Sequence, residues 1–435
     1  MGIKAVSAIP GATGLFKGQR VKFMRGFLAP TISYQFLSPP NIDPSLTFTR
    51  STTATYFNSS GILSTVAANV PRFDYNPTTL ALNGLLIEQQ STNLLTYSGN
   101  VAGASWAIWQ GTISGASSVL APDGVTTVYP VVINTASQTH FLNQAVAITA
   151  GGTYTYSIYL KAGTWNKVAI CFESDNDVNG SIVFIDLNTG ILSGATGFGT
   201  GTYVSSNVNA LPNNWYRVSI TGKVAPAQTF GRVDVFFSSN GSTTAAYTGN
   251  GTDSFYAWGA QIEQLSFATS YIPTTSAAVT RSADSLVNTS IGSWYNVTQG
   301  TLLTEYYIPY SINLNRVTEF NDGTYNNRIF LNSSSSALQE AIFAVNGTGY
   351  LFNAPSISGI TKAGISYGGS AQLGAHNGSF DGQYVGGVTP STITTLNLGG
   401  GGAPSGSQMN GWLRSFQYFN TALTSSQLQT ISGQL

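Results

Sequence analysis

The 435-residue sequence contains one cysteine, two histidines, three methionines and only 8% charged residues. The lone cysteine, Cys171, excludes an intrachain disulfide and a thiol-rich metal cluster within one chain. It lies in the apolar run Val168 to Phe172, where a buried thiol is expected. The histidines, His140 and His376, are far apart in the chain and form no local pair suited to zinc chemistry. There is no Gly-x-Ser-x-Gly elbow, no phosphate-binding Walker loop and no dinucleotide fingerprint. Lys plus Arg and Asp plus Glu number 17 each, giving a formal net charge of zero. No global field therefore draws the chain to nucleic acid or an anionic membrane, and no nucleic-acid partner is expected. Apolar runs stay well short of a spanning helix, and MGIKAVSAIPGATG at the amino end has no apolar signal core. Membrane insertion and secretory targeting are not expected.

What is present builds strands and turns. Glycine occurs 48 times and aromatic residues make up 12%, among many Ser, Thr and Asn. Few residues are left to sustain exposed helices, so the chain reads as all-β. A surface poor in charge and rich in hydroxyls and amides suits packing between subunits or hydrogen bonding to neutral sugars.

Four regions follow in order. Residues 1–45 form an extended arm in which Lys17, Arg20, Lys22, Phe23 and Arg25 combine basic and aromatic character between scattered prolines. Such a segment orders itself by docking, either as an anchor on other subunits or as a strand-adding arm on its own domain. Residues 46–96 form a β module with a turn at Asn58 to Gly61, another at Asp74 to Pro77, and an apolar run from Leu80 to Ile87. Residues 97–284 alternate well in Tyr154 to Leu160 and Trp215 to Ile220, with short apolar strands at Ser181 to Leu187 and Val233 to Phe237. That spacing predicts a sandwich of the jelly-roll kind. Residues 285–435 predict a second sandwich, ending in a strand over 410–419. Thr424 and Gln427 then have the capping-box spacing of a short terminal helix.

Two blocks echo one another in mirrored order. Thr49-Arg50-Ser51 precedes Ile87-Glu88-Gln89, whereas Ile262-Glu263-Gln264 precedes Thr280-Arg281-Ser282. The blocks are expected to lie side by side, antiparallel, at the base of the domain they bracket. Arg50, Arg72 and Arg281 sit in apolar or hydroxyl-rich surroundings where an unpaired guanidinium is costly. Asp74, Glu88 and Glu263 are the expected structural partners.

Three patterns bear on chemistry. Trp106, Trp109 and Trp165 lie near polar loop residues, with Asn166 beside them, and are candidates for stacking on a sugar ring; core burial is the competing reading. Trp215, Trp258 and Trp412 fall within strand patterns and are expected in the core. Asp175, Asp177 and Asn179, with Asp186 further on, follow the alternate-oxygen spacing of a Ca2+ loop, although an Asn- and Asp-rich hairpin turn explains the same residues. Paired carboxylates for glycoside cleavage meet in space rather than in sequence, and no stretch is rich in acids.

TFTRSTTATYFNSSGILSTVAANVPRFDYNP, followed by GLLIEQQSTNLL, resembles a module of tailed-bacteriophage and prophage virion proteins of the tail-fibre and receptor-binding kind. YAWGAQIEQLSFATSYIPTTSAAVTRSAD and the closing GWLRSFQYFNTALTSSQLQTISG continue the resemblance, the last being similar to the end of a concanavalin-like or laminin-G-like domain. Residues 97–284 resemble a carbohydrate-binding-module jelly roll. The resemblance implies a noncatalytic virion protein, made in the host cytoplasm and anchored to other virion subunits. It implies a homo-oligomer, favouring a trimer, that adsorbs to host cell-surface glycan. A capsid or head-decoration protein and a polysaccharide-degrading tailspike remain the alternatives at this point.

Overall fold

The computed structural model describes residues 29–113, 117–174, 178–309, 315–333, 338–345, 348–354, 359–369, 371–385, 389–390, 392–400 and 408–434, with backbone alone at 338–345, 348–351 and 353. The chain folds as two β-sandwiches, and all pairings within their sheets are antiparallel. Alternation explains the layers: Val168, Ile170 and Phe172 face one core, while Ala169 and Cys171 face outward from the same strand.

The first sandwich packs two six-stranded sheets. One runs Thr202–Leu211, Trp215–Lys223, Thr153–Ala162, Ser254–Glu263, Pro130–Ile133, Gly111–Ile113. The other runs Ile191–Phe198, Asn179–Asp186, Lys167–Ser174, Phe230–Phe237, Phe141–Ala147, Ala107–Trp109. Leu142, Ile158, Ile170, Val183, Val218, Val235 and Phe255 are among the residues that fill the space between them.

The second sandwich draws on both ends of the chain. Its eight-stranded sheet joins Gly300–Tyr307, Ile360–Tyr367 and Gly411–Phe419 to Ile32–Gln35, Phe73–Tyr75 and Leu82–Ile87. Its seven-stranded sheet begins with Thr47–Thr49 beside Ser285–Asn288. Tyr34, Phe36, Leu85 and Ile87 therefore share one core with Leu302, Phe320 and Phe416. The linear boundaries expected from the sequence need correction on this point. The described part of the arm, 29–45, supplies a core strand because Tyr34 and Phe36 alternate inward. The 46–96 module likewise gives strands to the C-terminal sandwich, while its hairpin, Ala54–Phe57 with Leu63–Val66, packs on the first sandwich near Trp258 and Tyr271. Lys17, Arg20, Lys22, Phe23 and Arg25 lie outside the described residues.

The first sandwich is thus inserted into the second, and the mirrored blocks mark where the chain leaves and returns. Ser91–Asn93 pairs antiparallel with Val279–Arg281, and Ser51 and Ser282 share a hydroxyl contact of 2.7 Å. Beneath this seam, Arg72 donates to Glu88 at 2.7 Å and to Asp284 at 2.5 Å. Arg50 meets the other Asp284 oxygen at 3.0 Å, and Arg281 lies 3.4 Å from Glu88. Glu263 accepts from Ser91 and Thr269 rather than from an arginine. Asp74 accepts from the Phe57 amide and the Trp412 indole. Asp284, which the sequence reading left unassigned, is the carboxylate that joins Arg50 to Arg72.

Candidate functional site

Register across the outer face of the Ala107–Trp109 sheet brings distant residues into rows. The first row runs Trp109, Phe141, Phe236, Ala169, Phe184. The second runs Ala107, Asn143, Asp234, Cys171, Ile182, and the third sets Ala145 beside Arg232 and Glu173. The face thus carries an aromatic row beside a polar row and a charged one.

Trp109 is 51% exposed. Its ring stacks on Phe141 with centroids 6.4 Å apart and planes at 23°, and Phe141 in turn meets Phe236 at 5.0 Å. The Arg232 guanidinium lies 5.1 Å from the Phe141 centroid. Arg232 also bridges two acids, Glu173 at 2.6 Å and Asp234 at 2.7 Å, so its charge is fixed in place beneath the aromatic edge. Asn143 is half-buried and donates to the Ala107 carbonyl at 3.3 Å. An exposed ring, an adjacent guanidinium and an amide form a shallow platform suited to a flat ligand with an apolar face and polar rim.

The floor is not suited to a metal. The ligand atoms of Cys171, Glu173 and Asp234 lie within 4.8 Å of one another, all buried. Arg232 already sits against both acids, so a cation would meet a fixed positive charge.

Of the aromatic residues singled out from sequence, only Trp109 reaches this face. Trp106 is buried in the first core and donates its indole N–H to the Tyr97 carbonyl at 3.2 Å. Trp165 is half-buried, donates to Lys167 and Ser238 carbonyls, and stacks on Tyr247 at 13°. Asn166 donates to Asp186 at 2.7 Å. In all three a side-chain N–H is engaged within the protein, by the Tyr97 carbonyl, by the Lys167 and Ser238 carbonyls, and by Asp186 respectively. Trp215 and Trp258 are buried as expected for strand residues, whereas Trp412 is half-buried.

The calcium grouping also needs correction. Asn179 and Asp186 stand at opposite ends of one strand, roughly 23 Å apart at about 3.3 Å per residue, so one ion cannot touch both. Asn179 accepts from Thr200, and Asp186 from Asn166 and the Asn188 amide. Asp175 and Asp177 lie outside the described residues.

Sequence reasoning missed Phe141, Asn143 and Arg232. One signal was present: Arg232 and Asp234 alternate with Val233 and Val235, which puts a charged pair on the outward face of a core strand. Nothing in the sequence placed that pair beside Trp109.

No family model matches the sequence, and no curated protein matches it. Among solved structures, the carbohydrate-binding module CBM40 of the Ruminococcus gnavus IT-sialidase is 12% identical over 32% of this chain and 84% of that one, with a TM-score of 0.28. Domain 4 of AbnA, a GH43 extracellular arabinanase from Geobacillus stearothermophilus in complex with arabinotriose, is 11% identical over 38% and 82%, with a TM-score of 0.26. The Trypanosoma rangeli sialidase is 11% identical over 70% and 62%, with a TM-score of 0.28. Likeness at this level carries no functional inference, which rests on the residues themselves.

Proposed function

We propose that the chain is a noncatalytic bacteriophage virion protein, a tail-fibre or receptor-binding component that adsorbs to host cell-surface glycan through the Trp109 face. The observation that carries the binding part is the half-exposed Trp109 ring, stacked on Phe141, whose own ring lies 5.1 Å from the Arg232 guanidinium, with Asn143 on the same strand as Phe141. The C–H face of a pyranose packs on such a ring while its hydroxyls reach the amide and guanidinium. The virion part is supported by the resemblance of residues 46–95 to phage tail modules. On this reading the basic-aromatic residues near the amino end anchor the chain to other virion subunits. Copies act together as a homotrimer, so that weak sites sum to useful avidity.

A noncatalytic role is supported by the chemistry of the floor. Arg232 sits between Glu173 at 2.6 Å and Asp234 at 2.7 Å, so the two acids of this face clasp a guanidinium instead of flanking a space for a glycosidic bond. The test has two arms. Cryo-electron microscopy of the particle should place the chain on the tail with the Trp109 face outward; a position bridging capsid subunits would contradict the reading and favour decoration. Purified chain should adsorb to host envelope polysaccharide without releasing reducing ends; such release would contradict the noncatalytic assignment.

A further inference from the structure

Cations are scarce around the Trp109 face. No Lys or Arg occurs between Arg72 and Lys161, between Lys167 and Arg217, or between Arg232 and Arg281. Residues 97–275, which form the inserted sandwich, hold five Lys and Arg against eight Asp and Glu, although the whole chain is balanced at 17 each. A ligand carrying a carboxylate therefore approaches a domain with an excess of its own sign.

The sheet behind Trp109 repeats this imbalance. Its six strands contain two cations, Lys167 and Arg232. Arg232 is the nearer, with its guanidinium 5.1 Å from the Phe141 ring. Its Nε meets Asp234 at 2.7 Å and an Nη meets Glu173 at 2.6 Å, and both acids are buried. With one of these acids ionised the trio is neutral, and with both it is negative. In neither state does it present net positive charge to a ligand on the Trp109 ring. Lys167 stands three strands from Ala107–Trp109, roughly 14 Å at about 4.8 Å per strand, and is paired in register with Asp186. That separation exceeds the Debye length of about 8 Å at physiological salt, so the Lys167 charge is largely screened from the ring.

The guanidinium still serves a neutral ligand, because an N–H donates to a hydroxyl oxygen without requiring a negative partner. A ligand carboxylate gains less. To form an ion pair with Arg232 it must compete with two buried carboxylates already within hydrogen-bond distance, and it brings a further negative charge beside them.

We propose, on the reading of the Trp109 face as a glycan site, that the site is specific for neutral sugar units, with Glu173 and Asp234 turning acidic sugars away through their hold on Arg232. The aromatic ring supplies the apolar contact that any pyranose accepts, and the charge balance beside it decides which pyranoses stay.

The test uses the full chain labelled with nitrogen-15 and follows the Trp109 indole signal, assigned by Trp109→Phe. The probes are matched pairs that differ in one carboxylate: methyl glucoside, methyl galactoside and methyl mannoside, each beside its uronate counterpart. At least one neutral probe should shift the signal saturably and bind roughly fivefold or more tighter than its uronate at low salt. That gap should narrow at 1 M salt, where the Debye length falls to about 3 Å. Glu173→Gln keeps the side-chain shape and removes one acid, so it should also narrow the gap; the salt series on the unaltered chain decides the matter if this variant does not fold. A uronate that binds as tightly as its neutral partner, or tighter, would overturn the specificity while leaving Trp109 as a glycan site. A gap that neither salt nor Glu173→Gln alters would overturn the role of charge. No saturable shift with either member of any pair would overturn the glycan reading itself, and the specificity with it.

Discussion

Asp74 is a carboxylate set between two domains, and its titration has a defined sign. Burial pushes it up from 3.8 to about 6, against the opposing pull of the Phe57 amide and the Trp412 indole. A folded value above the unfolded one means that stability is fullest below about 4 and is lost as pH rises through about 6. A difference of this size is worth ~3 kcal/mol. Glu88 behaves in the opposite sense. Burial pushes it up, but Arg281 and Arg72 outweigh that and hold it at about 2, below its ordinary 4.5. Its contribution is present above about 4.5 and is lost as pH falls towards 2. Together the two groups place a stability maximum near pH 4 to 5. Urea midpoints measured across pH should therefore fall between pH 4.5 and 6.5, and Asp74→Asn should flatten that limb while leaving the acid limb intact. An unchanged slope in the variant would remove Asp74 from the account. The variant also leaves the Trp412 indole opposite an amide, at a cost of about 1–3 kcal/mol at every pH.

Single elements were legible where local pattern decides them. Tyr154 to Leu160 alternates and lies within the strand Thr153–Ala162, and the run from 410 to 419 became Gly411–Phe419. The turn at Asn58 to Gly61 holds because Gly61 takes a φ of 72°, a conformation that favours glycine. The terminal helix Ser425–Ser432 begins at Thr424, whose hydroxyl accepts from the Gln427 amide while the Gln427 side chain returns the bond. Thr424→Ala should cost about 1 kcal/mol, read as a lower thermal midpoint, and Thr424→Ser should restore most of it. What sequence could not show was which strands are neighbours. Trp109, Phe141 and Arg232 come from three strands whose adjacency depends on sheet order, a long-range property. The same limit explains Trp106 and Trp165, whose local surroundings look as polar as those of Trp109.

At the scale of the whole molecule, one sandwich is carried as an insertion within another. The seam was partly readable, because the mirrored blocks pair as Ser91–Asn93 with Val279–Arg281, but the contribution of residues 32–87 to the C-terminal sandwich was not. Their partners in that sandwich lie more than two hundred residues away. The ends of the insertion meet, with the Tyr97 amide donating to the Thr275 carbonyl at 2.6 Å. Replacing residues 97–275 with a short Gly-Ser linker should leave a soluble protein that melts cooperatively, at a lower temperature because Leu63 and its hairpin lose their cover. Loss of cooperative melting would show that the outer sandwich depends on the inserted one. The central claim concerns the inserted sandwich and its Trp109 face. Its most direct test is calorimetric titration of the intact chain and of Trp109→Ala with host envelope oligosaccharide. The account predicts saturable binding that weakens at least tenfold in the variant, about 1.4 kcal/mol or more, with an unchanged thermal midpoint. Equal binding by both proteins would contradict it.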